Sequence, residues 1–197
     1  MKYTTVKYAE SKAVISRSKF LSFAYHVESE EQTMDILRTL RKTYYDATHV
    51  CYASVWDVYG NASRYSDDGE PGGTAGAPIL DVIKASGLRQ IMIVVVRYFG
   101  GVKLGTGGLT RAYSGGAADV IEAAEKEEYL LCDIYRAETD FNSFRKLGFL
   151  NTFDIEYTDK VCFKIAIPEG GDMTPAIDKT GGKIVLDKIC TDFIKFS

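Results

Sequence analysis

The run Ile91-Met92-Ile93-Val94-Val95-Val96 is the strongest constraint on how this chain folds. It is rich in β-branched residues and no polar residue alternates with the apolar ones, so a strand built from it must be covered on both faces. That places it at the centre of a sheet. The next residues narrow the choice. Gly100-Gly101-Val102-Lys103-Leu104-Gly105-Thr106-Gly107-Gly108 is a glycine-rich connection. After it Leu109, Ala112, Tyr113, Gly116, Ala117, Val120, Ile121 and Ala124 recur at helical spacing, the apolar stripe of a helix over roughly 108–126. Strand, glycine connection and helix form one unit, whose Gly and Ala residues let the helix approach the sheet closely.

The flanking sequence supplies partners. Thr5–Tyr8, Ala13–Ile15 and Phe20–Phe23 read as short strands with polar breaks. Ser29 with Gln32 is a capping-box pattern, and Met34, Leu37, Leu40 and Tyr44 follow at helical spacing, so a helix is expected over about 30–45. Residues 48–58 alternate as a strand, with His49, Cys51, Ala53 and Val55 on one face. Residues 60–78 read as a loop. Pro78 fits the first turn of a short helix with Ile79, Val82 and Ile83 inward and Gly87 as its terminator.

The charged stretch Glu125-Lys126-Glu127-Glu128 marks a boundary, giving domains over 1–127 and 128–197. The second half reads strand, helix, strand, strand, helix, strand, with Val161, Phe163, Ile165 and Ile167 alternating cleanly. That order is the split βαβ or ferredoxin-like arrangement, so the fold class is α+β. The second helix falls between Pro168 and Gly182, a stretch holding Gly170, Gly171, Pro175 and Gly181, and is expected to be short.

Composition excludes several functions. Hydrophobic residues make up 46% and charged residues 26%, the balance of a packed globular protein. No apolar run approaches the roughly 18 residues of a membrane span. The N-terminus lacks the apolar block of a signal peptide, so a cytoplasmic location and no membrane partner are expected. Cys51, Cys132, Cys162 and Cys190 form no C-x-x-C pair, and with only His26 and His49 a Cys/His zinc site is not expected. Net charge is −3, yet no acidic residue lies between Asp81 and Asp119, while Lys84, Arg89, Arg97, Lys103 and Arg111 do.

The glycine connection is the leading chemical candidate. A helix start offers unpaired N–H groups and the positive end of the helix dipole, which suit an anion. Arg97, Lys103 and Arg111, with the amides of Gly100, Gly101, Gly105, Gly107 and Gly108, would hold a phosphate. A tight connection that only permits close packing is the structural alternative. It is not a P-loop, because Lys103 is followed by Leu104, and not a dinucleotide fingerprint, because Thr110 stands where the last glycine belongs. Asp67, Asp68 and Glu70 lie within four residues, beside Pro71-Gly72-Gly73-Thr74-Ala75-Gly76. They would either hold Mg²⁺ next to a phosphate, pair with the basic loop, or sit solvated in a turn. No other cofactor is expected. His49 and Cys51 share a strand face, as packed residues or as a nucleophile pair. Tyr98 and Phe99 are free to stack on bases, whereas Tyr113 belongs to the apolar stripe.

Arg97 to Leu109, preceded by Asp67 to Gly76, resembles the signature of the Impact/YigZ family, and Ser18-Lys19-Phe20 and Thr48-His49-Val50-Cys51-Tyr52-Ala53 match its pattern too. The resemblance covers nearly the whole chain. It implies a ribosomal-protein-S5-domain-2-like first domain and a second domain similar to the last domain of elongation factor G, which is ferredoxin-like. Eukaryotic relatives regulate translation under amino-acid starvation by binding a large activator of the starvation-sensing kinase. For bacterial relatives nucleic-acid binding is the usual suggestion. The expected function is therefore a translation- or stress-linked regulator binding RNA or the ribosome through its basic loop. A protein-interaction module, or a metal-dependent enzyme acting on a nucleotide or phosphorylated small molecule, are the alternatives.

Overall fold

The computed structural model describes residues 1–196. Among them two antiparallel sheets and five α-helices form two compact units. One spans Tyr3–Glu127, and the other takes Met1–Lys2 with the chain from Glu128 onward.

In the Tyr3–Glu127 unit the chain runs β1 (Lys2–Val6), β2 (Ala9–Ile15), β3 (Ser18–His26), α1 (Glu30–Thr43), β4 (His49–Val55), β5 (Ser63–Ser66), α2 (Gly76–Ser86), β6 (Ile91–Tyr98) and α3 (Gly105–Ala123). The sheet order is β2-β3-β6-β4-β5, every neighbour antiparallel. β6 is the middle strand, as its composition requires. Ile91, Ile93 and Val95 pack on one side with Ile79 and Ile83 of α2 and Tyr113 and Ala117 of α3. Met92, Val94 and Val96 pack on the other with Leu37 and Leu40 of α1. All six strand residues are fully buried, and each such side chain contributes about 1.5–3 kcal/mol.

Local signals explain most boundaries. Ser29 Oγ accepts the Gln32 N–H at 3.1 Å, while Gln32 Oε1 accepts from the Glu28 N–H at 2.7 Å, closing the capping box one residue earlier than usual. Three expectations need correcting. The first strand, read over Thr5–Tyr8, runs Lys2–Val6. The stretch read as a loop over 60–78 contains β5, whose Ser63 and Ser66 lie opposite Val55 and Tyr52. The long helix starts at Gly105 rather than near 108, and ends at Ala123 because Ala124 is already extended.

The Lys7 N–H donates to the Glu125 carbonyl at 2.9 Å, and the Arg89 N–H to the Thr4 carbonyl at 2.9 Å. The chain thus enters and leaves this unit side by side, at the start of β6. The glycine-rich connection lies at the other end of an eight-residue strand, roughly 25 Å away.

The second unit contains β7 (Lys126–Thr139), α4 (Phe141–Phe144) continued by a 3-10 turn over Arg145–Leu147, β8 (Asn151–Tyr157), β9 (Val161–Pro168), α5 (Thr174–Thr180) and β10 (Val185–Phe196). β10 and β9 flank β7, and β8 lies beyond β9, with each of these pairs antiparallel. Val161, Phe163, Ile165 and Ile167 bury one face of β9 against Leu147, Met173 and Ala176. α5 has seven residues, the short helix the glycines and proline foretold. Met1 and Lys2 are fastened here, through the Leu131 N–H to the Met1 carbonyl at 2.8 Å and a Lys2–Glu128 ion pair at 2.7 Å. Among the described residues no helix is long and apolar enough to cross a membrane.

Candidate functional site

Arg97 follows Ile91, Ile93 and Val95 on the same face of β6 and therefore points under the helices rather than into solvent. It is 4% exposed. Its Nη1 donates to Glu70 Oε1 at 2.6 Å and its Nη2 to Ser18 Oγ at 3.2 Å. The guanidinium carbon lies 5.5 Å from the Phe20 ring centre and 5.4 Å from that of Phe99. Glu70 is buried as well, and the same Oε1 accepts the Tyr113 hydroxyl at 2.7 Å. Sequence reasoning made Arg97 a surface phosphate contact, whereas the fold makes it the inner half of a buried ion pair. Burial, and then the neighbouring Cys51, pushes the Tyr113 hydroxyl well above its ordinary value, so it stays a donor to Glu70.

The acidic segment serves the backbone. Asp67 Oδ1 accepts the Ala75 and Gly76 N–H groups at 2.9 and 2.8 Å, and Oδ2 accepts the Gly73 N–H at 2.8 Å. Asp67 thereby caps α2 from outside the helix. Burial acts to raise its carboxyl, but the Gly73, Gly76 and Ala75 amides outweigh it and hold the group below its usual range. Asp68 accepts the Val50 N–H at 2.7 Å and pairs with Arg41 at 2.7 Å. The three carboxylates read as a possible Mg²⁺ set therefore turn toward three different partners. Among the described residues no group of three or more His, Cys, Asp or Glu is placed to hold a metal ion.

His49 and Cys51 do share a face. His49 Nδ1 donates to the Asp68 carbonyl at 2.8 Å, and the Cys51 thiol to the Asp67 carbonyl at 3.0 Å. Burial pushes the Cys51 thiol up to about 12, helped by the charges of Glu70, Asp68 and Asp67 and opposed by its Tyr113 contact. A thiol held protonated is a poor nucleophile, which favours the packed-residue reading.

The exposed chemistry begins at Gly100. Its N–H donates to Ser18 Oγ at 3.2 Å, and its Cα lies against the β2–β3 turn so closely that an added Cβ would stand 2.0 Å from the Arg17 carbonyl carbon. Lys103 is exposed. Leu104, the residue before α3, gives no side-chain cap, and the first turn Gly105-Thr106-Gly107-Gly108 contains no acidic residue. Its leading N–H groups have no partner within the helix. Arg111 is exposed one turn on, with Nη1 4.0 Å from where a Gly107 Cβ would stand. A cavity of about 360 Å³ opens beside this turn. Pro71, Phe99, Leu104 and Leu109 give it apolar walls, and Lys103, Gly105 and Thr106 line it too.

Of the residues singled out from sequence, Lys103, Gly105, Gly107, Gly108 and Arg111 therefore come together around the helix start. Gly100 and Gly101 shape the turn leading to it, and Arg97 and Glu70 line the cavity as a buried ion pair. Lys84 and Arg89 do not join them: Lys84 is in the last turn of α2, and Arg89 precedes β6, so both lie at the opposite end of the unit. Two residues were missed. The antiparallel register sets Lys19 opposite Tyr98, with Nζ 5.6 Å from that ring, and places the exposed Arg17 against Gly100. A polar turn between two short strand signals was the clue, but only the register shows what it abuts.

The Impact N-terminal domain family model matches residues 16–121, more than half of the chain and the whole of the region that builds this site. The IMPACT family member YvyE of Bacillus subtilis is 35% identical over 175 residues, covering 85% of this chain and 80% of its own. An IMPACT family member of Thermus thermophilus is 38% identical over 182 residues, covering 87% and 98%. A crystal structure described as that of a hypothetical protein matches 95% of this chain and 97% of its own, with 27% identity and a TM-score of 0.65.

Proposed function

The chain belongs to the Impact family, and we propose that it is a translation- or stress-linked regulator that grips RNA, free or in the ribosome, by its phosphates at the start of α3. The observation that carries this reading is the uncapped first turn of α3, made of small residues, free of acidic ones and flanked by exposed Lys103 and Arg111. Backbone amides at a helix start and the helix dipole both favour a phosphate there. Arg17 and Lys19 extend the basic rim, and Phe99, 46% exposed, offers a ring for a base. The buried Glu70–Arg97 pair and the protonated Cys51 support binding rather than catalysis. The strand order of each unit supports reading the first as ribosomal-protein-S5-domain-2-like and the second as ferredoxin-like, folds that recur in translation machinery.

The test is fluorescence-anisotropy binding to short RNAs across a salt series. If Arg17, Lys19, Lys103 and Arg111 each meet one phosphate of a single strand, log K should fall with log salt at a slope of about −3. The double variant K103A/R111A should halve that slope to about −1.4. An unchanged slope would remove the α3 start from the interface, and absence of binding at low salt would turn the reading toward a protein partner.

A further inference from the structure

We infer that the cavity beside α3 receives one nucleotide bearing a terminal phosphate monoester, with the phosphate on the α3 amides and the base against Phe99. This deepens the RNA reading and rests on its assignment of the α3 start to phosphate. The volume, about 360 Å³, sits at the lower end of small-molecule sites, which span about 300–1,000 Å³. It suits a single nucleotide.

The lining divides as such a ligand does. Pro71, Phe99, Leu104 and Leu109 form an apolar wall for a flat ring, while Lys103, Gly105 and Thr106 bring donors to one side. The Arg97 guanidinium, 5.4 Å from the Phe99 ring centre, steadies the ring as a stacking platform. Glu70 also lines the cavity, but Arg97 at 2.6 Å balances its charge, so no net negative charge faces the phosphate.

A second observation points the same way. Arg97 lines this cavity, and its Nε is the buried side-chain polar atom that lacks a hydrogen-bond partner among the described residues. Buried donors are almost always satisfied, so an orphan on a residue that lines a cavity calls for an acceptor from outside the chain, delivered by a ligand or by water it orders. The surplus of donors also selects the kind of phosphate. Bare amides of the first turn, Lys103 and the Thr106 hydroxyl exceed what an internal diester, with one charge and two free oxygens, can accept. A monoester, with close to two charges and three free oxygens, matches them. A free mononucleotide and the 5′-phosphorylated end of an RNA share that chemistry.

The experiment compares the full chain's affinity for one short RNA carrying a 5′-phosphate or a 5′-hydroxyl, with adenosine monophosphate, adenosine and inorganic phosphate as competitors. The expected result is about tenfold tighter binding of the phosphorylated end, and competition by the monophosphate but not by adenosine. If the monophosphate competes at concentrations close to those of the RNA, the free nucleotide is the ligand. If it needs about a hundredfold more, the RNA end is. Thr106→Glu supplies an internal anion that favours the helix start, so loss of the phosphate preference in a variant that unfolds no earlier than wild type marks the site and not misfolding. Phe99→Ala should lower the preference to about threefold or less without changing the salt slope. Equal affinity for both RNAs with no competition by the monophosphate would overturn the cavity inference while leaving salt-dependent RNA binding standing. Monophosphate binding with no RNA binding would do the reverse.

Discussion

Replacing Glu70 with Ala tests the anchor on which the site is built. Glu70 and Arg97 side chains are 3% and 5% exposed, and Oε1 serves both Arg97 Nη1 and the Tyr113 hydroxyl. Removing the carboxylate strands a buried guanidinium and a buried hydroxyl at once. Breaking a buried pair from one side costs about 3–5 kcal/mol, and the orphaned Tyr113 overlaps with that figure rather than adding fully to it. Against a typical stability of about 5–15 kcal/mol the loss is large. Trp56 is the chain's only tryptophan and packs in the α1 side of the Tyr3–Glu127 unit, so its fluorescence follows this unit through a urea titration. With a urea slope of about 2 kcal/mol per molar, the midpoint should fall by about 2 M. The paired replacement Glu70→Leu with Arg97→Met removes both charges and should recover most of the loss, to within about 1–2 kcal/mol of wild type. A single-variant loss below about 1 kcal/mol would mean that the pair behaves as a solvated surface pair and that the reasoning is wrong. So would a double variant as unstable as the single one.

Two further outcomes follow from neighbouring features. Gly100→Ala should collapse the hairpin contact, because its Cβ would meet the backbone of Arg17 and Ser18 at 2.0–2.5 Å; Gly101→Ala, with φ of 84° but open space, should cost only about 1–2 kcal/mol, and equal losses in thermal unfolding would refute the contact. In the second unit, Lys188, the Gly170 N–H and the Thr191 hydroxyl hold the Asp133 carboxyl down at about 2. Its folded value is depressed, so its contribution to stability is full above about pH 4 and is lost as pH falls toward 2. Asp133→Asn should therefore be less stable than wild type at pH 6, with the gap closing near pH 2; a gap that persists there in urea titrations would contradict the assignment.

Much of the fold was legible because burial leaves a pattern. An apolar run without alternation could only be a covered strand, and the stripe from Leu109 to Ala124 could only be a helix on a sheet. β5 left no such pattern: Ser-Arg-Tyr-Ser at an edge buries little, so neither period shows. The start of α3 was misplaced because glycine is a poor helix former, and packing of Leu104 and Leu109 against the core decides there instead. The site was only half legible. Arg97 looks like a surface cation at the end of an apolar run, and its partner Glu70 stands 27 residues earlier with nothing in the spacing to link them. Arg89 and Arg97 share an acid-free interval, yet eight residues of extended chain set them at opposite ends. Ser18, 82 residues from Gly100, enters only through the register of β3 on β6.

The neighbouring entry and exit of the Tyr3–Glu127 unit make it a cassette. Because Lys7 and Glu125 are already hydrogen-bonded, a linker of a few residues could join the two ends, and the chain could be reopened at the Asp57–Asn61 turn as a circular permutant. The same unit could be spliced into a surface loop of an unrelated protein. In either arrangement the stitching falls a full strand length from the glycine turn, so what the turn holds is indifferent to what the cassette is attached to.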